Sequence, residues 1–107
     1  MEDINKKIQE IQILEQHLQN ILLQKQAFQL ELSETQHALE ELEKSKDEVY
    51  KIVGQLMIKS EKSSVKESLS NKEKILGTRL NHLESQESSI TEKVEALREE
   101  IMNSSQD

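Results

Sequence analysis

Cysteine, proline and tryptophan are absent from the 107 residues, glycine occurs twice, and Phe28 and Tyr50 are the only aromatics. Without cysteine the chain has neither a disulfide framework nor a thiolate metal site. Two aromatics leave little bulky side-chain volume for a rounded core. Basic charge is also short, with 21 acidic residues against 14 basic ones and a net charge of -7. That opposes nucleic acid as a partner, because affinity for phosphates rests on clustered Lys and Arg. Lys6-Lys7 is a basic pair, but it stands among Glu and Gln. No window approaches the roughly 18 apolar residues of a membrane span. The start, Met1-Glu2-Asp3-Ile4, lacks the basic and apolar regions of a signal peptide. The expectation is a single-domain, soluble, cytoplasmic protein with no membrane partner.

What is present is a repeat. A heptad with position a at Ile4, Ile11, Leu18, Lys25, Leu32 and Leu39 puts d at Lys7, Leu14, Ile21, Phe28, Thr35 and Leu42. Nine of the twelve are apolar, a repeat sustained enough to predict a coiled-coil helix over about 3–47. Such a helix would run roughly 65 Å and cannot bury its seam alone. Ile8, Leu22 and Leu23 lie off the strict seam. They either widen the apolar stripe or, in the case of Ile8, leave an exposed patch at the helix tip. The polar seam positions Lys25 and Thr35 read as setters of register or marks of a loosened bundle.

A second run, about 64–103, repeats the pattern. Position d recurs at Leu69, Leu76, Leu83, Ile90 and Leu97, and a at Glu73, Leu80, Glu87, Val94 and Ile101. Ser64-Val65-Lys66-Glu67 has the spacing of a capping box. Gly77 either permits close approach or bending, or is a tolerated imperfection. Residues 103–107 read as a frayed polar tail, and the glycosylation pattern Asn103-Ser104-Ser105 is discounted without a secretory signal.

Between the runs, beyond Asp47-Glu48, lies the one stretch with β character, about 49–59. Val49, Tyr50, Ile52 and Val53 precede Gly54-Gln55, and Leu56, Met57 and Ile58 follow. Gly at the first central position suits a type II′ hairpin, with Val53 facing Leu56, Ile52 facing Met57 and Lys51 facing Ile58. Both faces then carry apolar groups and both edges are open, so Val49, Tyr50, Ile52, Val53, Gly54, Leu56, Met57 and Ile58 are the expected oligomerisation hairpin. The alternative is one continuous strand or a buried loop. The fold class is mainly α: a long antiparallel two-helix coiled coil joined by a short β-hairpin. At its free ends Ile4, Ile8, Ile11 and Leu14 come near Val94, Leu97, Ile101 and Met102, where splayed helices would offer them to an apolar ligand.

Catalytic chemistry is missing. His17, His37 and His82 are isolated, and there is no phosphate-binding loop, H-E-x-x-H or nucleophile with a base. Neither enzyme, metal site nor cofactor is expected. The residue pattern by itself also suits a scaffold or tether in which the coil spaces two partners.

The run Ala38-Leu39-Glu40-Glu41-Leu42, then Val49-Tyr50-Lys51-Ile52-Val53-Gly54, then Leu56-Met57-Ile58-Lys59, resembles the β class of the prefoldin family. Archaeal members are closer than eukaryotic ones. Arg79-Leu80, Leu83 and Gln86-Glu87 match more loosely. The resemblance covers essentially the whole chain, and one hairpin rather than two favours the β over the α class. Met57 departs from the family, standing where a plain aliphatic residue is more common. The resemblance implies an ATP-independent holdase, a hetero-hexamer of two α-class and four β-class subunits whose hairpins close into a β-barrel platform. It further implies that the coiled-coil tips hold non-native proteins and deliver them to a group II chaperonin.

Overall fold

The computed structural model describes residues 2–46 and 48–105. Its elements, in order, are α1 (Glu2–Lys44), β1 (Val49–Val53), β2 (Leu56–Ser60) and α2 (Lys62–Ser105). The chain divides into two compact units: a terminal unit of Met1–Gln26 with Asn81–Asp107, and a hairpin unit of Ala27–Leu80.

In the terminal unit the heptad positions of α1 turn toward those of α2. Ile11, Ile21, Leu83 and Val94 are buried, while Ile4, Leu14, Leu18, Ile90, Leu97 and Ile101 are half-buried. Cross-helix ion pairs fix the direction of packing. Lys7 Nζ lies 3.3 Å from Glu100 and Lys25 Nζ 3.2 Å from Glu87, so residue numbers rise on one helix as they fall on the other. Lys25 stands in the seam and is satisfied by reaching across it to Glu87.

The hairpin unit repeats this arrangement. Leu42, Leu76 and Leu80 are buried with Thr35, and Glu31–Lys72 and Glu43–Lys66 bridge the helices at 3.1 and 3.3 Å. Thr35 is tolerated inside because its hydroxyl donates to the Glu31 carbonyl at 2.8 Å, so no polar atom is left unpaired. The Arg79 guanidinium covers the Phe28 ring at 5.7 Å from its centre, within cation–π range.

Both helices depart from the expected limits at the corner. α1 stops at Lys44, where the Ser45 amide is shared between the Glu41 and Leu42 carbonyls and the Ser45 carbonyl accepts from Lys62 Nζ at 2.8 Å. A side chain from α2 thus takes an acceptor that a longer α1 would have used. Asp47, placed by sequence at the end of that helix, lies outside the described residues. At the other side only Glu61 separates β2 from α2. Strand exit therefore sets the helix start, two residues ahead of the expected capping box. The Val65 amide donates to the Glu61 carbonyl, and Ser64 sits inside the first turn rather than capping it. The tail expected to fray from residue 103 is helical through Ser105, and Gln106 and Asp107 lie outside the described residues.

Two further readings are corrected. Leu22 and Leu23 do not widen the seam: they are 49% and 64% exposed, Leu22 at a position that only flanks the seam and Leu23 on the outer face. Nor does Gly77 serve a close approach, since a Cβ there would meet no atom within 4 Å.

Candidate functional site

Two surfaces gather the candidate residues, one in each unit, and the first is the hairpin. β1 and β2 pair antiparallel in the register Val49–Ser60, Tyr50–Lys59, Lys51–Ile58, Ile52–Met57 and Val53–Leu56. Gly54 has φ +61°, and among the described residues no non-glycine residue has a positive φ. A positive φ at the first central position alone is the signature of the type II′ turn, whose twist matches that of the strands. Strand alternation puts Tyr50, Ile52, Met57 and Lys59 on one face, and Val49, Lys51, Val53, Leu56, Ile58 and Ser60 on the other.

Neither face is covered by the chain itself. Tyr50, Ile52, Val53, Leu56, Met57 and Ile58 are all exposed, Ile52 and Met57 by about 70%. Among the described residues the sheet contains only these two strands, so each strand has one paired edge and one open edge. Six large apolar side chains on a ten-residue ribbon are far more than the scattered exposed hydrophobes of an ordinary surface. At the base of the ribbon a cavity of about 640 Å³ opens between hairpin and helices, lined among others by Ala38, Leu42, Val49, Tyr50, Val65 and Leu69.

A polar bracket steadies this base, and sequence reasoning missed it. The Glu48 carboxylate accepts from the Tyr50 hydroxyl at 2.6 Å and lies 2.9 Å from Lys59 Nζ. The Lys59 contact, and then the Tyr50 hydrogen bond, hold the Glu48 carboxyl below its ordinary range, and the same bond pushes the Tyr50 phenol up. The signal available in sequence was only the cross-strand pairing of Tyr50 with Lys59.

The signs follow from linkage. A depressed carboxyl contributes stability above its ordinary value and loses it as pH falls through the depressed one. A raised phenol contributes below its ordinary value and loses it as pH rises through the raised one. Both contributions are therefore intact at neutral pH. In an NMR titration the Glu48 carboxyl is expected to turn over below the ordinary glutamate range. Lys59→Met should move that midpoint up by more than Tyr50→Phe does. A parent midpoint at the ordinary value would show that the bracket does not persist in solution.

The second surface is the pair of helix ends in the terminal unit. The eight candidates there divide sharply. Ile11 and Val94 are buried at 9% and 5%, Ile4, Leu14, Leu97 and Ile101 are half-buried, and only Ile8 and Met102 stand exposed, at 41% and 62%. Sequence reasoning also passed over Ile13, Leu30 and Ile75, which are 54–63% exposed on outer helix positions. All three lie off the heptad positions, so the periodicity gave no signal for them.

Among the described residues no group of His, Cys, Asp and Glu is placed to hold a metal ion, and no helix is long and apolar enough to cross a membrane. His37 lies 3.8 Å from Glu40, one turn along the same exposed helix face. What these surfaces offer chemically is apolar area with open strand edges, not a reacting group.

Comparison with known proteins agrees with this geometry. A family model described as "Prefoldin subunit" matches residues 5–107. The prefoldin subunit beta of Thermococcus onnurineus is 44% identical over 89 residues, covering 81% of this chain and 77% of that protein. Its counterpart in Methanosarcina acetivorans is 35% identical over 100 residues, covering 92% and 86%. The crystal structure of the prefoldin beta subunit from Thermococcus strain KS-1 superposes with a TM-score of 0.89 at 36% identity, over 95% of this chain and 91% of that one.

Proposed function

Because this chain belongs to the prefoldin family, whose members are components of a chaperone, we propose that it acts as a β-class subunit of an ATP-independent holdase. The observation that carries the reading is the uncovered apolar hairpin: six exposed large side chains on two strands with open edges. Such a ribbon is marginal in water by itself and is completed by strands from other subunits. In this reading the hairpin joins a platform with α-class partners in an α2β4 hexamer. The helix ends, with Ile8 and Met102 foremost, hold non-native proteins in the cytoplasm before transfer to a group II chaperonin.

Holding of this kind works by number rather than by strength. Each helix end grips an exposed apolar segment weakly, and several ends around one client raise the effective concentration of the next contact. Met102 suits varied partners, since an unbranched thioether adapts its shape. The net charge of -7 keeps a loaded complex in solution. Nothing in this scheme calls for a catalytic residue, a nucleotide or a cofactor.

The test is aggregation of a chemically denatured model protein, diluted with this chain assembled with an α-class partner and without ATP. Suppression at near-stoichiometric ratio is the expected result. Replacing Ile4, Ile8, Ile101 and Met102 with Ser should leave the assembly intact and weaken suppression several-fold. If the parent assembly fails to suppress, the chain returns to the role of scaffold. If the serine variant suppresses as well as the parent, the binding surface lies elsewhere.

A further inference from the structure

Six of the eight helix-end candidates are covered by the partner helix, which leaves open how they reach a client. Among the described residues the terminal unit carries three ion pairs across its seam: Lys7–Glu100 at 3.3 Å, Glu15–Arg98 at 2.7 Å and Lys25–Glu87 at 3.2 Å. They differ in depth. Lys25 and Glu87 are 15% and 36% exposed, against 29% and 55% for Lys7 and Glu100 and 49% and 61% for Glu15 and Arg98, so cover deepens from the outer pairs to the inner one. The outer two flank Ile11, Leu14, Val94 and Leu97, the most covered stretch of the candidate surface.

We propose that Lys7–Glu100 and Glu15–Arg98 form a salt-sensitive latch. It sets how often the helix ends part to uncover the seam, and Lys25–Glu87 is the inner stop at which parting ends. The argument is one of exposure. Solvated pairs contribute little each and weaken as ions screen them, so they release with modest input. Lys25, covered about twice as deeply as the other seam lysine, Lys7, is not given up so readily, because separation leaves its charge among apolar groups. Opening from the ends thus exposes Ile4, Ile11 and Leu14 together with Val94, Leu97 and Ile101. The use of that opening for client holding rests on the function proposed above; the latch itself does not.

Hydrogen exchange of the full chain, followed by mass spectrometry, reads opening without any client. One variant neutralises the outer pairs (Lys7→Gln, Glu15→Gln, Arg98→Gln and Glu100→Gln), a change that keeps good helix formers in place. A second swaps each pair (Lys7→Glu with Glu100→Lys, Glu15→Arg with Arg98→Glu). The neutral variant should exchange roughly three- to ten-fold faster over residues 8–18 and 90–101, the range two exposed ion pairs give. Amides around Lys25 and Glu87 should keep the parent rate, and the swapped variant should move back toward the parent everywhere. Added sodium chloride should speed the parent and leave the neutral variant unchanged. A neutral variant that exchanges like the parent, or a swap as fast as the neutral form, would overturn the latch. A latch seen by exchange in an assembly that fails to suppress aggregation would defeat the proposed function and leave the latch standing.

Discussion

Replacing Ile52 and Ile58 with Asp is expected to dissolve the assembly while leaving helical content unchanged. The two residues lie on opposite faces of the hairpin and are 71% and 47% exposed within the chain. The carboxylates therefore cost little until another strand or sheet covers them. Covering them then removes two charges per copy from water, at an effective penalty of several kcal/mol each. At about 1.4 kcal/mol per tenfold, that amounts to a loss of roughly four orders of magnitude in association. Sedimentation velocity reads the loss, and far-UV circular dichroism reads the helices. Since Asp also disfavours strands, Ile52→Thr with Ile58→Thr serves as the control. It keeps a β-branched residue and should weaken assembly by a smaller factor. An unchanged sedimentation coefficient in the Asp variant would remove the hairpin from the interface.

The largest effect expected inside the fold is that of Leu76→Ala. Leu76 is 3% exposed in the seam of the hairpin unit, while its neighbour Ile75 is 54% exposed on the outer face. Truncating a buried Leu typically costs 2–5 kcal/mol, according to how far the site collapses. A two-helix seam is open along its flanks and relaxes more readily than a closed core, which puts Leu76→Ala near the lower end, about 2–3 kcal/mol. Ile75→Ala should cost no more than about 0.5 kcal/mol. Urea unfolding of the assembled protein at fixed subunit concentration separates the two, since stability here depends on concentration. Equal costs would mean that the seam is not the source of stability in this unit.

The contrast between Leu76 and Ile75 also shows what the sequence made legible. Heptad spacing separates residues that face a partner helix from those that do not, and each heptad position from Ile4 to Leu42 is buried or half-buried. The hairpin register was equally readable, because Gly54-Gln55 admits one two-residue turn between two apolar runs. Periodicity does not say how deeply a residue on the correct face is covered. Ile11 and Leu14 both hold seam positions, yet one is buried and the other only half-buried. Nor does it reveal partners far apart in the chain. Glu15 and Arg98 are 83 residues apart, and their bond depends on side-chain reach across a seam whose stagger no local pattern encodes. The start of α2 was missed for a related reason: Ser60 at the end of β2, and not the capping motif, decides where that helix begins.

Tyr50 has a consequence of another kind. It is the only tyrosine in a chain without tryptophan, it stands on the hairpin, and its hydroxyl is bonded to a carboxylate. Ultraviolet emission excited near 280 nm therefore comes almost wholly from one strand of one element, and a carboxylate acceptor is a known quencher of phenol fluorescence. The hairpin carries its own optical probe. Rearrangement of the Glu48–Tyr50–Lys59 bracket can be followed in real time, without a label, against helices of this chain that carry neither tyrosine nor tryptophan.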